Sequence, residues 1–130
     1  ELERYGDFNF KIEATPMTIL VFIKDMVLKS KITEYSSSRG ISISYQSNWE
    51  NFKEVLNSAS VSKIILDINL LGDDNLAGKL SWILENAPKV EIIGFCSHIN
   101  KELFEIAQET GLKTVLPRSK FFTNLETWIN

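Results

Sequence analysis

Short β-branched, apolar runs in this chain repeatedly give way to stretches whose apolar residues recur at three- and four-residue spacing, with a turn residue at each exchange. This alternation constrains the fold more than any other feature. Parallel strands need long connections, and a helix laid back across the sheet is the stable form of that connection. Thr18 to Ile23 reads Thr-Ile-Leu-Val-Phe-Ile, apolar at every position that either face of a central strand would bury. Ile41, Ile43 and Tyr45 alternate with Ser42 and Ser44, which suits a strand near the sheet edge with one more polar face. Lys63 to Ile68, Val90 to Cys96 and Thr114 to Leu116 supply the third, fourth and fifth strands.

Between them, Val27, Leu28, Ile32 and Tyr35 fall on one side of a helix that Gly40 is placed to end. Asn48 is set to cap a second helix carrying Trp49, Phe52, Val55, Leu56 and Ala59. Leu76, Leu80, Ile83, Leu84 and Ala87 trace a third, closed by Pro88, and Leu103, Phe104 and Ala107 mark a fourth, stopped by Gly111. Phe121, Phe122, Leu125, Trp128 and Ile129 form a fifth. The expected fold is α/β, a three-layer doubly wound five-stranded parallel sheet of flavodoxin-like order 2-1-3-4-5 with right-handed crossovers.

At 130 residues the chain suits one compact domain, over 17–130, and the net charge of −3 without a Lys/Arg block argues against nucleic-acid binding. No apolar run is long enough to cross a bilayer. Cys96 is the only cysteine, so no internal disulfide forms, and the composition suits the cytoplasm. Residues 1–16 read as an N-terminal extension: a tag, a linker or, from the alternation that includes Phe8, Phe10 and Ile12, an extra strand.

In such a sheet, ligands and chemistry gather beyond the carboxyl ends of the strands. Those ends carry Lys24 and Asp25, Asp67 with Asn69, Cys96 with Ser97 and His98, and Pro117 with Arg118 and Ser119. No glycine pattern supports a dinucleotide or P-loop site. His98 has no visible partner and reads as a loop residue, Ser97 as a helix cap, Cys96 as a small buried residue, and Asp73 and Asp74 as solvated turn acids.

At these residues the chain resembles the receiver domain of two-component response regulators, the CheY-like family, over roughly 17–130. Leu66-Asp67-Ile68-Asn69-Leu70 is similar to the family's phosphoacceptor segment, with Asp67 at the acceptor position. The resemblance puts Cys96 or Ser97 at the switch Ser/Thr position and Arg118 at that of the family's lysine. It also implies Mg²⁺, held by an acidic pair after the first strand together with the acceptor, to bring negative charges together for phosphoryl transfer. Here Ile23 and Lys24 fall at the acidic-pair positions and Asp25 lies just beyond.

The expectation is therefore a pseudo-receiver with no metal, in which Lys24, Asp67 and Arg118 form a constitutive ionic cluster and the domain signals by protein contact. The alternative is a receiver phosphorylated on Asp67 by a histidine kinase, with Asp25 and Asp67 holding Mg²⁺ and Ser97 or Cys96 reading the phosphate. A flavodoxin-like small-ligand enzyme is a third reading. Asp67 also suits the plain role of capping the turn that follows it. Partners implied by the resemblance are a histidine kinase or downstream regulator, and a second copy meeting the face made by the last two helices and the strand between them.

Overall fold

The structure, a computed structural model, describes residues 17–72, 74–97 and 100–130. Strands Thr18–Phe22 (β1), Ser42–Gln46 (β2), Val61–Asp67 (β3), Glu91–Cys96 (β4) and Thr114–Pro117 (β5) lie parallel in one sheet. Their order, β2-β1-β3-β4-β5, is the doubly wound order expected from the alternation. Helices Met26–Ser37 (α1), Trp49–Ser58 (α2), Ile68–Leu71 (α3), Leu76–Asn86 (α4), Lys101–Thr110 (α5), Arg118–Thr123 (α6) and Leu125–Trp128 (α7) complete the described elements.

Strand parity divides the core into two layers. Leu20, Phe22, Ile64, Leu66, Ile92 and Cys96 face a cluster built with Phe52 of α2, Leu80 and Ile83 of α4, and Leu103 and Ala107 of α5. Ile19, Val21, Ile65, Ile93 and Phe95 face the other, with Leu28 and Ile32 of α1, Phe121 of α6 and Leu125 of α7. The three central strands are apolar at alternate positions on both faces because both faces are covered.

The helical segments number seven among the described residues, against the five expected. One extra turn, α3, arises because Asp67 ends β3 and its carboxylate accepts the Asn69 and Leu70 N–H groups, so Ile68 opens a helix instead of closing the strand. The final helix divides at Asn124, whose φ of −132° and ψ of 42° are not helical and whose Nδ2 donates to the Lys120 carbonyl at 2.9 Å. Phe121 and Ile129 are fully buried, while Phe122 and Trp128 pack half-buried against the same cluster, so the aromatic residues of this segment serve the core. The expected extension, residues 1–16, lies outside the described residues.

Lys63 is the one basic side chain buried among the described residues, and it lies on the same face of β3 as Ile65 and Asp67. Its Nζ donates to the Trp128 carbonyl at 2.6 Å and to Asn130 Oδ1 at 3.2 Å, and lies 3.4 Å from Glu91 Oε1. A buried ammonium survives only with such partners. Lys63→Met is expected to lower stability by about 1–3 kcal/mol, since it strands the Trp128 carbonyl in a low-dielectric site. A fall in the urea midpoint at unchanged slope checks it.

Candidate functional site

The site forms where the carboxyl ends of β1, β3, β4 and β5 converge. Asp67 ends β3 on the face that holds Ile65 and Phe95, with which Asp67 is in register across β4. On β1 the same parity runs Ile19, Val21, Ile23 and then Asp25. Asp25 caps α1: its Oδ1 accepts from Val27 N–H at 2.8 Å and from Leu28 N–H at 3.1 Å. Its Oδ2 is left to face the site.

Arg118 reaches both carboxylates from the first position of α6. Its Nη2 donates to Asp25 Oδ2 at 2.5 Å and its Nη1 to Asp67 Oδ2 at 3.5 Å. The guanidinium crosses the end of β4 over the Phe95 ring, 5.4 Å from the centroid, and Phe95 in turn stacks on Phe121 at 4.9 Å. This seat limits the rotamers open to the arginine, so less entropy is lost in holding two anions at once.

The two carboxylates are shifted in opposite directions, although the same cation favours the ionised form of both. The Asp25 carboxyl is held below the ordinary range, first by the Leu28 N–H and then by Arg118. Burial pushes Asp67 above the ordinary range, against the opposing pull of Arg118 and of the Leu70 and Asn69 N–H groups. Distance and solvent explain the split: the Asp67 side chain is 9% exposed and 3.5 Å from the cation, whereas that of Asp25 is 34% exposed and bonded at 2.5 Å.

Lys24 is not part of the cluster expected of it. Its side chain is exposed and forms no ion pair with Asp25 or Asp67, because alternation past Ile23 turns residue 24 away from the face that residue 25 rejoins. Asp25 occupies the place given to Lys24. Cys96 also turns from Asp67: its buried thiol packs in the opposite core cluster, and burial, then the Asp67 charge, raise its pKa. Ser97 does not cap α5. Asn100 does, its Oδ1 accepting from Leu103 N–H at 3.3 Å.

Asn69 is exposed, yet its Oδ1 accepts the Ser97 N–H at 2.8 Å, a link between β3 and β4 that no sequence motif announces. His98 and Asp73 lie outside the described residues, and Asp74 is exposed.

Mg²⁺, the cation the resemblance implies, does not fit this arrangement. Asp25 has one oxygen on α1 N–H groups and the other on Arg118, and Asp67 Oδ1 is taken by α3 N–H groups. A permanent positive charge stands where the two carboxylates meet, and a hard divalent ion needs several free oxygens there. Among the described residues, no group of three or more His, Cys, Asp and Glu side chains is placed to hold a metal.

No protein-family model matches the chain, and no curated protein matches it in sequence. Solved structures do match. The receiver domain of the TMAO respiratory system response regulator TorR aligns with 88% of this chain and 100% of its own, at TM-score 0.68 and 21% identity. An orphan response regulator of H. pylori aligns with 89% of this chain and 98% of its own, at TM-score 0.68 and 15% identity. A response regulator from Burkholderia pseudomallei, solved with a phosphorylated aspartic acid, calcium ion and citrate, aligns with 88% of this chain and 66% of its own, at TM-score 0.71 and 14% identity. The chain has the receiver fold.

The opposed carboxylates give opposed pH dependences. Asp25, with its folded pKa depressed, contributes stability that is present above the unfolded value and lost as pH falls through the folded one. Asp67, with its folded pKa raised, contributes stability that is present below the unfolded value and lost as pH rises through the folded one. Relative to the native chain, Asp67→Asn should therefore gain stability from about pH 3 toward pH 7 while Asp25→Asn loses it over the same range. Urea midpoints for both variants across that range measure it; parallel trends would contradict the asymmetry of the site.

Proposed function

We propose that this chain is a receiver-like signalling module that acts through protein contacts, without Mg²⁺-dependent phosphorylation. The observation that carries the reading is the guanidinium of Arg118 shared between Asp25 and Asp67. A metal in a receiver neutralises converging negative charge and exchanges with solvent. Here a covalently tethered cation neutralises the same charge and does not leave. The names of its structural neighbours, response regulators and receiver domains, support a signalling role; contact rather than turnover is the mode of action this proposal assigns to it.

Its partner is a protein, a kinase or a downstream regulator. Met26 and Val27, exposed by 71% and 63% at the start of α1, adjoin Asp25, so a partner resting there touches the cluster. On the opposite side, Lys101, Phe104, Glu105, Gln108 and Pro117 line a depression of about 330 Å³ between α5 and β5, the face expected to meet a second copy. The cytoplasm suits this role, and none of the described helices is long and apolar enough to cross a membrane.

One contact favours the alternative, a phosphoacceptor serving a histidine kinase. Arg118 holds Asp67 Oδ2 at 3.5 Å, much more loosely than it holds Asp25, so that oxygen is the least engaged in the cluster. Incubation with acetyl phosphate and Mg²⁺ followed by intact-mass measurement separates the two. The expected spectrum is that of the unmodified chain; a stoichiometric phosphoryl adduct that disappears in Asp67→Asn would overturn the proposal.

A further inference from the structure

The hydrogen bonds of the site form one continuous belt across four strand ends. Asp25 beyond β1 meets Arg118 beyond β5, Arg118 meets Asp67 on β3, Asp67 Oδ1 accepts the Asn69 N–H at 3.1 Å, and Asn69 Oδ1 accepts the Ser97 N–H beyond β4 at 2.8 Å. The last link is a side-chain substitute for a rung of the sheet. The β3–β4 register ends at the pair Asp67 and Phe95, because β3 turns into α3 and carries its backbone carbonyls away. An amide oxygen from Asn69 then takes the next N–H of β4.

We propose that Asn69 is the positioning residue through which the state of the Asp25–Arg118–Asp67 cluster is conveyed to the end of β4. The proposal rests on the reading of that cluster as the signalling site. Asp67 is the hinge of the coupling. The same carboxylate that faces Arg118 through Oδ2 holds the backbone of Asn69 and Leu70 through Oδ1, at 3.1 and 3.3 Å. A carboxylate freed from its cation rotates, and rotation moves the two N–H groups that orient Asn69. Leucine at position 69 has a similar size and no acceptor, so it cuts the belt without emptying space.

A double-mutant cycle separates this role from that of a simple cap on β4. A cap would hold Ser97 whatever Arg118 does. A coupling element makes the two sites non-additive, which a double-mutant cycle detects and mere nearness does not.

The test is amide hydrogen exchange resolved at Ser97, with the Ile64 and Ile92 amides in the sheet as reporters of global stability. Asn69→Leu should accelerate Ser97 exchange about fivefold, the factor for one hydrogen bond of ordinary net strength. Arg118→Met should accelerate it two- to threefold in the native background and leave it unchanged in the Asn69→Leu background. Asn69→Asp, which keeps an acceptor oxygen, should restore the response to Arg118→Met. Equal acceleration by Arg118→Met in both backgrounds, no acceleration in the native one, or failure of Asn69→Asp to restore the response would each overturn the coupling. A phosphoryl adduct on Asp67 would bear on the cluster's permanence and leave this coupling intact, so the two proposals fail by different measurements.

Discussion

A single guanidinium held between two carboxylates is the contact on which the rest of the site depends. Asp25 and Asp67 come from different strands and converge because strand parity aims both at the same face beyond the sheet. Without a cation between them, one would be driven to protonate, as paired carboxylates in a shared low-dielectric site are. Arg118 removes that conflict unequally. It bonds the exposed partner closely and the buried partner loosely: the Leu28 N–H and then Arg118 keep Asp25 below the ordinary range, while burial outweighs the pull of Arg118 on Asp67, which holds its proton more tightly than a free aspartate. An ion pair this open to solvent contributes modestly to folding free energy. It joins the chain segments that follow β1 and β5 to the end of β3.

The same face of β3 carries the mechanical counterpart of that contact. Lys63, Ile65 and Asp67 alternate along it, and both polar ends grip the last segment of the described chain: Asp67 holds Arg118 at its start, and Lys63 holds Trp128 and Asn130 at its end. Four residues of strand span about 13 Å. Between the two grips, Phe121, Leu125 and Ile129 fill the apolar layer over Ile65. The segment is thus clamped by charge at each end and by burial in the middle. This explains why two short helices broken at Asn124, which would not hold their shape alone, keep their position against the sheet.

Much of this was legible in the sequence, and the parts that were not share a cause. Thr18 to Ile23 and Ile64 to Leu66 announce buried central strands because both faces need apolar cover, and Asn48 announces its helix because its cap has a residue signature. Parallel pairing follows from the length of the crossovers, and the order 2-1-3-4-5 from the regular alternation of strand and helix over a chain of this length. Misplaced residues sit just past the ends of strands, where one residue of phase decides which way a side chain points. Lys24 and Asp25 exchanged roles for that reason, although Asp25 before Met26 already carried the signature of an N-cap. Ser97 and Asn100 are both good caps, and only the start of α5 chooses between them. The Asn69 contact has no local signature, since its partner is 28 positions away.

On the proposed reading, the difference between a tethered cation and a dissociable one bears on what kind of signal the domain carries. A bound metal shifts a conformational equilibrium by an amount that grows with its concentration, and a transferable phosphoryl group does so by a covalent bond that is made and broken. Arg118 offers neither variable, because its local concentration is set by the chain. What remains adjustable is whatever distinguishes the paired from the unpaired cluster: protonation of Asp67, or a partner whose own charge competes for the guanidinium at the solvent-facing side of Asp25. Burial at Asp67 opposes its ionisation, and the loosely held Oδ2 supplies the least resistant point in the belt. A partner that pulls Arg118 toward itself would act first on that oxygen, and so on the backbone of Asn69 that Asp67 holds through its other one.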